Sequence, residues 1–407
     1  MEAKKVIRLV WAGFVGCLVM SAFAEEPTIT NVVARQRWPW SRLVNIDYEV
    51  KCADTQRVDV AVAGYSGTAP VFLPVGSLSG DLYNVPPGTR RIVWDPGKTT
   101  YTNELYTRFS VELMTAQVPL YMIVDLMKDV SSTNQITYLY PGDGSLVTTG
   151  RWTNVWFGVT NDVYRKDKLV LRRVPAGSYM MGAGAGTKPV TLTQACYAGV
   201  FEVTEAQWYR IMGTDSSTSG SPKRNVSYNR IRGATNDVPA VNWYTTGSEV
   251  CPTSFIGRLR SKTGMSDFDL PTEAQWQYLC RAGTQSYYSD GVSTSEADTN
   301  ILNEIGWWRQ NSASQIKTVG LLAPNAWGLY DMHGNVWETC LDWYVESDSG
   351  DTVAATNPPG PVSGAVRVAC GGASSLLAEG VSCASRGSCA PGSWDGSIGF
   401  RIVRTLP

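Results

Sequence analysis

Alternation of apolar and polar side chains marks the first part of the chain. Val44, Ile46, Tyr48 and Val50 alternate with Asn45, Asp47, Glu49 and Lys51. A period of two turns one strand face inward and leaves the other to water. Val58, Val60 and Val62 repeat the pattern, as do Phe109, Val111 and Leu113, with turn formers Pro86-Pro87-Gly88 and Asp95-Pro96-Gly97 between them. The stretch from Ile29 to Leu126 therefore predicts a small antiparallel sandwich of immunoglobulin or fibronectin type. From Met127 to Lys168 the patterning weakens around a Pro141-Gly142-Asp143-Gly144 turn, and this segment reads as a connector.

After Leu169 the texture changes to short apolar runs broken by Gly, Ser and Asn, punctuated by two near-identical helix starts. These are Thr204-Glu205-Ala206-Gln207-Trp208 and Thr272-Glu273-Ala274-Gln275-Trp276. In each, the Thr hydroxyl accepts a first-turn amide, Gln reaches back to the Thr amide, and Glu complements the positive helix end. Both read as capping boxes with a structural purpose.

The N-terminus adds a different signal. Lys4, Lys5 and Arg8 precede an apolar run from Leu9 to Met20, then Ala22-Phe23-Ala24 before Glu25 and Glu26, the layout of a secretory signal peptide. Apolar residues follow Cys17 where a lipidated mature start would be polar, so the reading is cleavage after Ala24. No later run reaches the ~20 apolar residues of a membrane span. The expected organisation is a signal peptide over 1–24, the sandwich over 25–126, the connector over 127–168 and a second domain over 169–407. Export places the product in the periplasm, at the cell surface or outside the cell.

Composition narrows the chemistry. Thirty-five basic residues balance thirty-six acidic ones, so no charge excess is available to follow a nucleic-acid backbone. Fifteen Trp, nineteen Tyr and 39 Gly favour a loop-rich interior filled by aromatics over a bundle of long helices. Eight of the nine cysteines would remain after signal removal, and an oxidising compartment makes disulfides the default. A single histidine, His333, excludes zinc sites of the two-Cys-two-His kind and the two-His-one-carboxylate iron triad.

Several motifs recur in fixed order: Val174-Pro175-Ala176-Gly177, Met181-Gly182, Phe201-Glu202-Val203-Thr204, Val241-Asn242-Trp243 and Leu270-Pro271-Thr272-Glu273-Ala274-Gln275-Trp276. They continue with Gly328-Leu329-Tyr330-Asp331-Met332-His333-Gly334-Asn335-Val336-Trp337-Glu338, Gly371-Gly372 and Gly399-Phe400-Arg401. From about Leu169 to Arg404 this succession resembles the formylglycine-generating, or sulfatase-modifying factor, family. The resemblance implies an α+β fold, a variant C-type-lectin-like domain behind the small all-β sandwich. The family's enzymes oxidise a sulfatase cysteine to formylglycine with oxygen and a copper ion held by two cysteines after the Gly-Gly motif. Here the matching positions fall on Leu376 and on Ala378 or Val381, and the serine after Gly-Gly is Ala373. Copper, which takes soft thiolate ligands, is not expected to be held. Cys383 and Cys389 as a substitute pair are weighed against the disulfide default and set aside.

The resemblance carries two further expectations. In the family the segment matching Asp331 to Glu338 wraps calcium, with Asp331 and Glu338 side chains and Gly334 and Val336 carbonyls as ligands, all hard oxygens. A second family calcium loop matches only at Asn300 and Ile301. Cys280 and Cys383 match a family disulfide, whereas Cys251 has lost its mate to Ile402; the pairing of Cys340, Cys370 and Cys389 stays open. The functional expectation is a non-catalytic binding or scaffold module. The Gly371–Ile398 loop would present Ser374, Ser375 and Trp394 to a protein or carbohydrate ligand; the alternative is a formylglycine-generating oxidase. Trp307 and Trp308 are read as core.

Overall fold

The alternating strand does what its pattern dictates: Val44, Ile46, Tyr48 and Val50 are all buried, while Lys51 stands in solvent. The computed structural model describes residues 27–406 except 38–40, 53–57, 72, 74–76, 83–84, 99–107, 117–118, 141–143, 184–185, 215, 234–249 and 347–352. The signal segment, Cys17 and Val241-Asn242-Trp243 lie outside the described residues. Four strands form one sheet of the sandwich, in the order Thr28–Gln36, Val44–Lys51, Gly88–Trp94, Leu78–Gly80. Three form the other, in the order Ala69–Val71, Asp59–Ser66, Phe109–Ala116. Their facing residues make one core containing Ile46, Tyr48, Val60, Ile92 and Leu113. Trp94 stacks on Phe109 within it, with ring centroids 4.9 Å apart.

The strand Tyr121–Asp125, expected at the end of the sandwich, belongs elsewhere. It lies in a six-stranded sheet between Lys168–Val174 and Ile136–Leu139, followed outward from Lys168–Val174 by Cys196–Gly199, Val403–Thr405 and Phe268–Asp269. The reason is its unbroken apolar run. Met122 and Val124 face one core and Tyr121 and Ile123 another, so the strand is covered on both faces, unlike an alternating sandwich strand. Nor is 127–168 a bare connector, because it supplies Ile136–Leu139 and the helix Asp162–Lys166, capped by the Asn161 side chain.

Both capping boxes form as read. In the helix Glu205–Met212 the Gln207 amide donates to Thr204 Oγ1 at 3.1 Å and Thr204 N–H donates to Gln207 Oε1 at 3.0 Å. In Glu273–Arg281 the matching distances are 3.0 and 3.1 Å. Each box fixes where a tryptophan enters the core, and the two tryptophans then do different things. Trp208 stacks on Phe255 at 5.3 Å, whereas Trp276 donates its indole N–H to Glu338 at 2.6 Å. A second sheet, in the order Arg386–Cys389, Arg367–Cys370, Trp337–Trp343, Ile398–Gly399, carries Glu338 and faces the helix Glu273–Arg281.

Candidate functional site

The Asp331–Glu338 turn is tightly coiled, with Asp331, Gly334 and Asn335 all in the left-handed region at φ of 58°, 88° and 59°. The coil sinks charge into the interior. Glu202, Asp331 and Glu338 are buried together around the Arg401 guanidinium, and the buried Arg165 also acts on Asp331. Arg401 grips Glu338 at 2.6 and 3.0 Å and also donates to the carbonyls of Gly199 and Tyr330. Glu202 accepts from Asn335 Nδ2 at 2.7 Å and from the Val336 amide at 3.2 Å. Three acidic side chains against two guanidinium groups, those of Arg401 and Arg165, leave acid in excess. Burial, with the neighbouring Asp331 and Glu338 charges, accordingly pushes Glu202 well above its usual range. Burial also pushes Asp331 up to about 6, against the relief of the Gly320 amide and Arg401.

This arrangement fits a hard cation at Asp331. Its Oδ2 accepts the Gly320 amide at 2.6 Å, but its buried Oδ1 has no hydrogen-bond partner. Glu338 is already held by Arg401 and Trp276, its Oε2 accepting from both, which leaves the second lone pair of Oε1 to offer. Asn300 and Ile301, the remnant of a second calcium loop, lie in the helix Thr299–Ile305.

Copper does not fit the positions where the family holds it. Leu376, Ala378 and Val381 pack with Tyr288, Leu302, Ile305 and Trp308 in one apolar cluster. None of them offers a donor.

The helix Glu273–Arg281 ends with Cys280 pointing at the same turn from the other side. There Cys280 Sγ, His333 Nε2 and Cys383 Sγ lie within 4.8 Å of one another, all buried, and no disulfide joins the two cysteines. His333 Nδ1 donates to the Val381 carbonyl at 2.8 Å, while Nε2 accepts from the Ser289 amide at 3.1 Å. A carbonyl only accepts and an amide only donates, so the ring is the neutral Nδ1–H tautomer. Burial raises both thiols, yet their mutual hydrogen bond divides them: Cys280 goes well above its usual value and Cys383 falls. Cys280 and Cys383 are thus brought together, but without the disulfide that the resemblance implies; the sequence reading does not foresee His333 beside them. Cys389 stands apart, against Thr339 Oγ1 at 3.3 Å, and Cys340 and Cys370 place their sulfurs 3.9 Å apart on neighbouring strands.

Of the loop residues expected at the surface, Ser374 is a correction. It is buried, its amide bonded to the Asn335 carbonyl and its own carbonyl to Ser312 Oγ, because the loop here closes over the Asp331–Glu338 turn. Ser375 is exposed, and Trp394 is 63% exposed beneath the Arg230 guanidinium, 5.5 Å from its ring centroid. Trp308 is core and Trp307 half-buried. A cleft of about 440 Å³ runs past Ser382 and Ala384, on the flanks of Cys383, with Arg281 and Tyr287 in its wall.

A buried acid sets a pH dependence. Asp342 accepts the Glu273 amide at 2.7 Å, and burial, then the Glu273 charge, pushes its carboxyl up to about 8. The folded state therefore holds a proton that an unfolded aspartate loses near pH 4. The stability it contributes is full below that pH and is lost as pH rises through about 8, at about 1.4 kcal/mol per unit. Urea unfolding of Asp342→Asn is expected to fall less steeply with pH than wild type across this window; parallel curves would contradict the assignment.

A domain of short helices, small sheets and long packed loops, with a charged Asp-to-Glu turn at its centre, defines the class. The sequence profile of the sulfatase-modifying factor enzyme 1-like domain matches residues 160–406, more than half of the chain, and the protein belongs to that family. Formylglycine-generating enzyme of Mus musculus is 32% identical over 144 residues, 33% of this chain and 38% of the relative. Serine/threonine-protein kinase pkn1 of Chlamydia pneumoniae is 32% identical over 139 residues, 34% of this chain and 21% of that protein. The matches thus span well under half the length of these relatives. Among solved structures, Treponema denticola variable protein 1 is 22% identical with a TM-score of 0.45, covering 58% of this chain and 95% of that one. Among the described residues no helix is long and apolar enough to cross a membrane.

Proposed function

We propose that the protein is an exported, non-catalytic binding or scaffold member of the sulfatase-modifying factor family, presenting its Gly371–Ile398 loop to a protein or carbohydrate ligand. The observation that carries this reading is the apolar packing of Leu376, Ala378 and Val381 where the family's enzymes hold copper. A soft metal needs thiolates there, and hydrocarbon supplies none. Trp394, a flat exposed ring in a domain that buries most of its aromatics, is the loop residue best suited to stack on a ligand. The test is oxygen uptake by the mature protein with copper and a peptide carrying a sulfatase Cys-x-Pro-x-Arg motif. Uptake equal to the copper-and-peptide blank is expected; sustained uptake would reinstate the oxidase.

The same reading gives the Asp331–Glu338 turn a structural calcium ion, held by Asp331 and Glu338 with the Gly334 and Val336 carbonyls. The ion would supply positive charge where three acidic side chains outnumber the Arg401 and Arg165 guanidinium groups. Calcium at about 100 times its dissociation constant is expected to stabilise the fold by about 2.7 kcal/mol. Asp331→Asn keeps an oxygen for the Gly320 amide but loses the charge, so the increment should vanish in a melting experiment. An unchanged increment would put the ion elsewhere.

A further inference from the structure

We propose that Cys280, His333 and Cys383, with the two cysteines reduced as the structure holds them and not joined in the disulfide the resemblance implies, form a binding site for one thiophilic d10 metal ion, zinc(II) or copper(I), distinct from the calcium position at Asp331 and Glu338 and from the family's copper position. The site is assembled from three distant parts of the chain: the last turn of the helix Glu273–Arg281, the short strand His333–Gly334, and the loop after Gly371-Gly372.

Donor type and spacing agree with such an ion. Metal–sulfur bonds of ~2.3 Å and metal–nitrogen bonds of ~2.0 Å, opened to the trigonal angle, set sulfur and nitrogen about 3.7 Å apart. Cys280 Sγ and His333 Nε2 are 3.9 Å apart, and all three donor atoms lie within 4.8 Å. Two sulfurs and an imidazole are soft and borderline ligands, which calcium and magnesium do not favour.

The surroundings orient the ring. Metal-bound imidazoles commonly donate their second N–H to a carbonyl, which fixes the tautomer. His333 does this through Nδ1 to Val381, leaving Nε2, the nitrogen facing Cys280, with its lone pair. The Tyr288 ring meets the imidazole edge-on at 5.6 Å and holds it from the side. The Ser289 amide and hydroxyl occupy Nε2, at 3.1 and 2.9 Å, and an ion would displace both bonds. Three protein donors satisfy copper(I); zinc prefers a fourth, and the Ser289 hydroxyl is within reach. Ser382 and Ala384, on either side of Cys383, line a cleft, and the three buried donors lie outside its wall, so an ion enters only with a local movement of this loop.

The test uses the mature chain, metal-stripped and fully reduced under argon, titrated in separate arms with zinc(II) against a chromophoric chelator and with copper(I) against a copper(I)-selective one. One equivalent per chain in at least one arm is expected, and the arm that saturates names the ion. Cys383→Ser should weaken binding by more than about 100-fold, since even outer-shell changes cost 10–100-fold. Cys340→Ser, which touches the other close thiol pair, should leave it unchanged. X-ray absorption on the loaded wild type needs no variant and should find a shell of two sulfurs and one nitrogen. Binding of neither ion overturns the proposal, as do binding abolished by Cys340→Ser and a shell without nitrogen. A Cys280–Cys383 disulfide that reductant cannot open in the folded chain overturns it too. These readouts are independent of oxygen uptake, so this site and the non-catalytic reading fail separately.

Discussion

Replacing Arg401 by methionine is expected to destabilise the protein by about 3–5 kcal/mol, a large share of the roughly 5–15 kcal/mol that keeps a domain folded. Arg401 and Glu338 are both buried, their side chains 0% and 1% exposed, and the ion pair is bidentate. Removing the guanidinium abandons the Glu338 carboxylate in the interior beside the acidic side chains of Glu202 and Asp331. It also strands the Gly199 and Tyr330 carbonyls. The double variant Arg401→Met with Glu338→Gln should recover part of the loss, because no lone charge is then left behind. Arg386→Met breaks a pair of similar geometry with Glu273, but that arginine is 23% exposed, and the cost should be clearly smaller. Urea unfolding measures all three. A loss below about 1 kcal/mol for Arg401→Met would mean that the central cluster is not held by this cation.

Gly334→Ala is expected to cost about 3 kcal/mol or more through the backbone alone. Gly334 sits at φ 88°, and a Cβ there would stand 1.8 Å from the Trp307 carbonyl oxygen. Left-handed strain accounts for about 1–3 kcal/mol. The clash adds to it, because Gly306-Trp307 and His333-Gly334 are paired as short parallel strands and cannot separate without breaking that pairing. The damage reaches the site on both sides: Asp331 and Asn335 share the coil, and His333 adjoins the glycine. Thermal melting should show the loss; a variant as stable as wild type would mean that the turn has slack its geometry does not show.

What was legible in the sequence was local. Capping boxes depend on residues three apart, so Thr204 with Gln207 and Thr272 with Gln275 carry their own geometry. The alternation from Val44 to Lys51 likewise fixes which face is buried before any partner strand is known. Tyr121–Asp125 was misplaced because an unbroken apolar run says that a strand is covered on both faces but not by which sheet. Ser374 was misjudged for a similar reason: a small hydroxyl residue in a glycine-rich loop gives no sign of its exposure. The metal-ligand triad needed long-range information. Fifty-three residues separate Cys280 from His333 and fifty separate His333 from Cys383. The one available signal lay in combining two readings, since a Cys280–Cys383 pairing draws the Cys383 loop over the helix end that the His333 turn also meets.

The domain belongs to the sulfatase-modifying factor family, and the proposed loss of its copper chemistry is tested most directly by the mass of a substrate peptide. After incubation of the mature protein with copper, oxygen and a Cys-x-Pro-x-Arg peptide, the account predicts a peptide of unchanged mass beyond the oxidation seen without protein. A mass loss corresponding to conversion of the cysteine CH2SH to an aldehyde, dependent on the protein, would contradict it.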